Sequence, residues 1–503
     1  MLATIHSAGL HGIEAFPVTV EVDLAAHGLP GWHLVGLPET VVRESKDRVT
    51  SALRNAGFQL RYRKTTINLA PARRRKVGNY FDLPIALGLL TAAQLLSPTH
   101  TAPLLCVGEL LLSGELQAIP GALSLALFAR AHGAVLVAPA ANTPELQLVR
   151  GLRYFAPHTL GELVTQLHDT TPPSVADPPP FTTRPPALDM ADVQGQPLAR
   201  RALEIAAAGH HHLLFLGPPG SGKTMLAARL PGLLPPLHPD EAIDTTRIYS
   251  AMGRLNGTPL ITTRPFRAPH HGASAAGLVG GGSVPEAGEI TLAHHGVLFL
   301  DEIAEFRRDV LEALRQPLES GQITVSRAGV HAHFPARFLF VAAANPCHCG
   351  YLGHPTVACQ CTLAQIQHYR RKLSGPLLDR IDLHIGIGPL PADDMLNTRP
   401  AESSAVVHAR VLAARARQAA RYHALPAATN GALSAAETRR CCAPAPEARQ
   451  LLIAAIERHG LSARAYDRVL RIARTIADLA DDDTLAAPYV AEALQYRVLD
   501  RPL

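Results

Sequence analysis

The sequence predicts an α/β fold with a parallel-sheet core, an α+β region before it and a helical region after it. An apolar run, Leu213-Leu214-Phe215-Leu216, reads as a buried strand that ends in glycine. That glycine opens Gly217-Pro218-Pro219-Gly220-Ser221-Gly222-Lys223-Thr224, and Met225-Leu226-Ala227-Ala228 begins a helix directly behind it. A second apolar run, Gly296 to Leu300, ends in two carboxylates, Asp301 and Glu302. Strand, loop and helix in that order is the arrangement of parallel α/β folds.

The chain has 503 residues, more than one ordinary core holds, so two or three domains are expected. A proline-rich run from Thr171 through Pro186 cannot form helix or central strand and reads as a stiff, extended linker over 171–187. Before it, residues 1–170 alternate short β-rich runs, Val18 to Val22 and Thr65 to Leu69, with helical stretches such as Glu44 to Ala56. After it, 188–395 form the core, with a helix through Arg200 to Ala208 and a cysteine-rich insert at 347–361. From 396 to 503 alanine, arginine and leucine dominate and the pattern is helical.

With 47% apolar residues the chain can fill proper interiors, and a net charge of +5 is too small to mark a nucleic-acid binder by itself. Met1 to His6 lacks the features of a secretory signal, and the apolar tract Leu83 to Leu96 is too short to span a bilayer. A soluble cytoplasmic protein without a membrane partner is expected. Seven cysteines in this length do not make a disulfide framework, and Cys106, Cys441 and Cys442 read as structural.

The loop fits G-x-x-x-x-G-K-[ST] in full, which points to ATP with Mg²⁺. Its glycines let backbone N–H groups of Gly217, Pro218, Pro219, Gly220, Ser221, Gly222, Lys223, Thr224 and Met225, the prolines excepted, turn toward phosphates. Lys223 reaches the terminal phosphate oxygens and Thr224 offers its hydroxyl to the metal. Asp301 would complete the Mg²⁺ shell while Glu302 polarises the attacking water. The strand Arg337 to Ala344 ends in Asn345, an amide placed to meet the γ-phosphate or that water. Near the C-terminus Ser462 caps a helix whose Tyr466, Val469, Ile472, Ile476 and Leu479 share one face. Arg464, Arg468 and Arg471 share another, the last two either solvated or functional.

The order of phosphate loop, Asp-Glu strand, strand ending in Asn, then Leu377-Leu378-Asp379-Arg380-Ile381-Asp382, resembles the AAA+ ATPases of the magnesium-chelatase and replicative-helicase branch. The resemblance implies an AAA+ P-loop ATPase core with a C-terminal helical lid. It also implies that Arg380 enters the neighbouring subunit's site as a finger, and hence a ring. A surface ion-pair cluster of Asp379, Arg380 and Asp382 is the alternative. By the same likeness Arg464 is the lid arginine that contacts ATP.

Residues 1–168 resemble the ribosomal-S5-like fold shared with the Lon protease domain. A Lon-type hydrolase needs a serine with a lysine base. Asp82 stands about where that serine belongs, and no lysine lies between Glu109 and Gly151, so proteolysis is not expected. The same region carries Arg43, Lys46, Arg48, Arg54, Arg61, Arg63, Lys64 and Arg73-Arg74-Arg75-Lys76, which reads either as a phosphate-binding stretch or as a solvated face.

Cys347, Cys349, Cys359 and Cys361 form C-x-C-x₉-C-x-C, chemically suited to a closed, structural tetrahedral Zn²⁺ site, with His348 and His354 as further ligand candidates. Reduced, unliganded cysteines are the alternative.

Over nearly its whole length the chain resembles the ComM/YifB group, through Asp192 to Gln196, Arg264 to His271 and Leu373 to Pro376. The likeness implies a homo-hexameric DNA helicase that drives branch migration of single-stranded and branched DNA during natural transformation, working with recombination proteins. A protein-remodelling ATPase of the magnesium-chelatase kind is the rival. The glycine-rich Gly277 to Ser283 reads as a pore loop or a plain surface loop. Gln322 to His331 reads as a hairpin whose tip, Arg327, could grip a phosphate. His271-Gly272-Ala273-Ser274 departs from the expected bulkier continuation.

Overall fold

The computed structural model describes residues 1–497 apart from 26, 28, 30, 61–63, 98–102, 170, 184–186, 283–285, 328–329, 374, 391–400, 426 and 460, and leaves undescribed the side chains at 41, 326, 327, 330 and 459. Arg61, Arg63, Ser283, Ser374, the Pro185-Pro186 end of the proline run and the Arg327 side chain therefore lie outside the described residues.

Period-two burial builds the first half. In β1 (Leu2–His11) and β2 (Glu14–Leu24), Val18, Val20, Val22 and Leu24 face the interior while their neighbours face out. There follow β3 (Gly31–Val35), β4 (Lys64–Ala70) and β5 (Leu104–Cys106). A small hairpin comes next, of β6 (Glu109–Leu110) and β7 (Leu116–Gln117), then β8 (Val135–Val137), β9 (Arg153–Phe155) and β10 (Ser174–Val175). Eight of these form one mixed sheet in the order β10-β9-β8-β5-β1-β2-β4-β3. Helices Asp82–Ala92 and Ala122–Ala131 pack on β1 and β2. The first of these is buried along almost its whole length, which explains its unbroken apolar composition. β10 corrects the reading of the proline-rich run: before its prolines thicken, Ser174 and Val175 pair with Tyr154 and Arg153 at the sheet edge, where a missing N–H nearby costs least.

The second half is a five-stranded parallel sheet. Its strands are β11 (Leu213–Leu216), β12 (Phe266–Arg267), β15 (Val297–Leu300), β18 (Leu339–Ala344) and β19 (Leu383–Gly386), in the order β12-β15-β18-β11-β19. Two hairpins interrupt it, β13 (Gly280–Gly281) with β14 (Glu286–Ala287), and β16 (Gln322–Arg327) with β17 (Val330–Pro335). Both faces are covered, so the strands read as continuous apolar runs, as parallel strands do.

Alternate residues feed two cores. Phe215, Phe299, Val341 and Ala343 join helix Pro197–Gly209 and the C-terminal helices Ser404–Tyr422, Ala463–Leu479 and Ala487–Gln495 in one apolar cluster. Leu214, Leu298, Phe340 and Ala342 join the other cluster with Phe334 and Ile13. The C-terminal helices thus share an interior with the sheet. Ile13 brings the β1–β2 turn into the second core: Gly12 has φ +62°, and a Cβ there would lie 3.1 Å from the Phe334 ring. His11 Nε2 lies 2.9 Å from the His331 carbonyl, and Arg247 donates to Glu14 at 2.9 Å.

Candidate nucleotide site and cysteine cluster

The phosphate loop sits at the C-terminal end of β11, the edge of a parallel sheet where ligands bind. Gly220 and Gly222 adopt φ +75° and +86°, which suits residues without a Cβ. At Gly217 a Cβ would lie 2.3 Å from the Ile387 carbonyl, so only glycine fits between the loop and the end of β19. Helix Lys223–Arg229 starts straight from the loop.

Lys223 is nearly buried and its Nζ donates to the carbonyls of Gly217 and Pro218, each at 2.8 Å, and to Asn345 Oδ1 at 3.3 Å. Burial lowers its pKa below the ordinary lysine value, opposed by the charges of Asp301 and Glu302. Thr224 Oγ1 donates to Asp301 Oδ2 at 2.6 Å, and the Glu302 N–H donates to Asp301 Oδ1 at 2.9 Å. Hydroxyl and carboxylate thus meet where a magnesium ion would take both as oxygen ligands. Asn345 follows β18 directly. The structure therefore brings Lys223, Thr224, Asp301, Glu302 and Asn345 together, while Met225 stays exposed behind the loop.

Glu302 has φ +50°, uncommon for a residue with a Cβ and frequent at functional turns. Its Oε2 lies 3.7 Å from Nδ1 of His271, whose ring is tilted against that of His270. Spacing along the chain does not reveal this contact. The His270-His271 pair closely following β12, beside β15 in the sheet, was the only signal.

Arg380 and Arg464 stand apart from this cluster. Arg380 pairs with Glu319 and donates to the Pro376 carbonyl at 2.5 Å, while the exposed Arg464 lies 3.8 Å from Asp379. Asp382 is buried, 3.4 Å from Nδ1 of His211 and 3.4 Å from Nε of Arg468. Asp379, Arg380 and Asp382 thus have separate partners and form no common ion-pair cluster. Arg468 and Arg471 are likewise not solvated: Arg471 donates to the carbonyls of Gly431 and Leu433 at 3.0 and 3.1 Å. Ser462 caps its helix by accepting from Ala465 N at 3.2 Å, as the sequence predicts.

Two other expectations are corrected in part. Gly277 to Val279 belong to a short helix, Ala275–Val279, and Gly280 is glycine because a Cβ there would lie 2.3 Å from the Glu286 carbonyl of β14. Among the basic residues of the first half, Lys76 is fully buried, with Nζ donating to the carbonyls of Gly36, at 2.9 Å, and Pro71. Arg48 grips the buried Asp82 at 2.8 and 3.0 Å. Arg43, Lys46, Arg54, Lys64, Arg73, Arg74 and Arg75 remain exposed, Arg74 lying over the Phe16 ring at 5.0 Å.

The four clustered cysteines converge, their sulfurs all lying within 4.8 Å of one another. Cys347 Sγ lies 3.4 Å from Cys349 Sγ and 3.7 Å from Cys359 Sγ, and Cys349 Sγ is 3.6 Å from Cys359 Sγ. These spacings are far too long for disulfides and close to the edge of about 3.8 Å that four Zn–S bonds of about 2.3 Å give a tetrahedron. The donor set fits a closed metal site. His348 and His354 are not part of it.

This fold and this loop define a P-loop nucleotide-binding protein. Family profiles match it in three consecutive parts: "Subunit ChlI of Mg-chelatase" over residues 20–142, "Magnesium chelatase, subunit ChlI" over 189–395, and "Magnesium chelatase, subunit ChlI C-terminal" over 401–497. The chain is 43% identical over 505 residues to the YifB protein of Escherichia coli strain K12, covering 100% of this chain and 98% of that one. It is 44% identical over 510 residues to the competence protein ComM of Haemophilus influenzae, with 100% and 98% covered. A short segment of 66 residues, 13% of this chain and 8% of the relative, is 39% identical to the DNA replication licensing factor Mcm3 of Drosophila melanogaster. The chain belongs to the magnesium-chelatase-like family of AAA+ ATPases, and within it to the YifB/ComM group. No described helix is long and apolar enough to cross a membrane.

Proposed function

We propose that this chain is an ATP-hydrolysing motor of the cytoplasm that assembles as a homo-hexameric ring on single-stranded and branched DNA. There it promotes branch migration as incoming DNA recombines in natural transformation, alongside other recombination proteins. The observation that carries the ATPase part is the convergence of Lys223, Thr224, Asp301, Glu302 and Asn345 at one sheet edge. Full-length likeness to a relative named for competence supports the DNA part, and the short likeness to a replication factor points the same way.

In this reading the loop amides between Gly217 and Met225, the two prolines excepted, and the Lys223 ammonium bind the phosphates, and Thr224 and Asp301 would hold Mg²⁺, which when bound would supply positive charge to the transferring group. Glu302 orients and polarises the attacking water, with Asn345 beside it. Arg380 leaves Glu319 to enter the neighbouring subunit's site, and Arg464 contacts ATP from the helical lid. The exposed arginines and lysines of the first half contact DNA phosphates. Cys347, Cys349, Cys359 and Cys361 hold Zn²⁺ as a structural site.

ATP hydrolysis measured with and without single-stranded and four-way-junction DNA, beside an assay of strand-exchange extension, tests this. Stimulation and extension are expected. An assembled ring that shows neither overturns the DNA reading and favours the remodelling of a protein partner. Glu302→Gln should abolish hydrolysis, by about 10³-fold or more, while ATP still binds. Retained turnover would remove Glu302 from its role.

A further inference from the structure

We infer that the four-cysteine cluster is a clasp on the ATP site, so that metal occupancy sets the rate of hydrolysis; the inference rests on the zinc reading above. The cluster is not a remote staple. Its first pair follows the β18 end by only a few residues, and that strand end is bound to the phosphate loop at successive points. Gly217 N donates to the Ala344 carbonyl at 3.1 Å, and Lys223 Nζ donates to Asn345 Oδ1 at 3.3 Å. The turn that carries Cys347 and Cys349 closes when Gly350 N donates to the Cys347 carbonyl at 3.1 Å.

Gly350 then lies flat on the loop. Its φ is +86°, and a Cβ built there would meet Pro219 Cδ at 2.8 Å and Cγ at 3.1 Å. A proline ring cannot swing aside as a flexible side chain can, so any side chain at 350 would press on the phosphate loop. The same Cβ would be 4.0 Å from Asn345 Cγ. One glycine thus separates the thiolate turn from both the loop and the amide beside the lysine.

The second pair of thiols ties in the other wall. Cys361 Sγ accepts from Cys349 N at 3.4 Å, and directly after it Thr362 and Gln365 form a reciprocal cap on helix Leu363–Arg371. That helix buries Tyr369, whose hydroxyl is reached by the Asn345 backbone, and is followed by Lys372, 3.4 Å from Glu305 just past the Asp301–Glu302 pair. Four thiolates bound to one cation would hold the two loops in a single register. Without the cation the four sulfurs have no common partner to fix the two loops in that register. The predicted consequence is a loss of turnover more than of nucleotide affinity, because misplacing groups around the reacting phosphate by a fraction of an ångström weakens the transition state first.

The test uses the full-length protein purified under reducing conditions without added metal. Metal per chain is counted by elemental analysis. The metal is then stripped with a mercurial reagent and chelator, both removed by gel filtration with thiol, and ATP hydrolysis is measured in excess Mg²⁺ before and after Zn²⁺ is returned. Co²⁺ substitution reports thiolate ligation through its absorption bands. The inference expects one metal ion per chain and a kcat lowered about 10- to 100-fold on stripping, with KM changed much less and activity restored by Zn²⁺. Gly350→Ala is the decisive second arm: it should keep the metal and its Co²⁺ spectrum yet lower kcat, since its Cβ presses on Pro219. Should the stripped chain lose its fold, judged by its melting curve, this variant alone decides. Metal bound with Gly350→Ala hydrolysing normally would overturn the clasp and leave the zinc site standing. A reduced chain that takes up no zinc or cobalt would overturn both.

Discussion

Two buried lysines, one in each half of the molecule, are held in almost the same way but have different neighbours. Lys223 donates to the carbonyls of Gly217 and Pro218, and Lys76 to those of Gly36 and Pro71. Burial lowers the pKa of both. Lys223 also has Asn345, Asp301 and Glu302 around it and a loop open to a phosphate. Lys76 is shifted by burial, and its ammonium pins the turn after β4 to the segment after β3. Carbonyl caging is common to the two lysines; the acidic and amide groups converge on Lys223.

The strongest test of this contrast is a pair of substitutions. Lys223→Ala should cost about 10³-fold or more in ATP turnover. Lys76→Ala should leave ATP binding intact but destabilise the first half by about 1–3 kcal/mol, because two carbonyls lose their donor in a closed site. Urea unfolding followed by Trp32 fluorescence measures it, since the chain's single tryptophan lies on β3. A Lys76→Ala protein that melts normally yet loses DNA affinity would break the comparison.

Acid separates the two halves by a second route. In the parallel-sheet half His294 Nδ1 accepts the Arg337 N–H at 3.0 Å and His212 Nδ1 accepts the Phe340 N–H at 3.1 Å. Burial pushes His294 down to about 3 and His212 to about 4, from an ordinary 6.5. Both rings stay neutral in the fold but take a proton when unfolded. The stability they lend is complete above about pH 6.5 and is lost as pH falls toward those folded values, by about 2 kcal/mol per ring at about pH 5. Among the described residues no histidine is buried in residues 1–169. The helical circular-dichroism midpoint in urea should therefore drop at about pH 5 while the Trp32 midpoint moves less. Equal shifts would show that the halves unfold as one.

The smallest expected effect lies on the surface. Changing Arg73, Arg74 and Arg75 together to Gln should weaken DNA binding and lower the slope of log affinity against log salt by about 2 to 3, without changing ATP turnover in the absence of DNA. An unchanged slope would reduce this stretch to a solvated face.

What the sequence made legible follows from how local each feature is. The phosphate loop is contiguous, so Gly217 to Thr224 could be read directly, and the strand order around Asp301, Glu302 and Asn345 followed from two apolar runs. The Ser462 cap and the cysteine spacing were legible for the same reason. Less was legible in the basic residues: Arg48 and Lys76 sit in a run of cations indistinguishable by charge from Arg73 to Arg75, and Arg468 and Arg471 share a helix face with Arg464. Nor did composition foretell that β10 would lie inside a proline-rich run, because an edge strand demands few N–H donors.

By itself, then, the sequence determined the family, the parallel-sheet architecture and the identity of the groups at the phosphate loop, since each depends on neighbours in the chain or on the period of burial. Only the tertiary structure decided which cations are free, that Glu302 meets His271, that Arg380 rests on Glu319, and that Gly350 lies against Pro219. Those facts depend on which distant segments exclude water from a side chain, and burial is set by packing across the chain rather than by spacing along it.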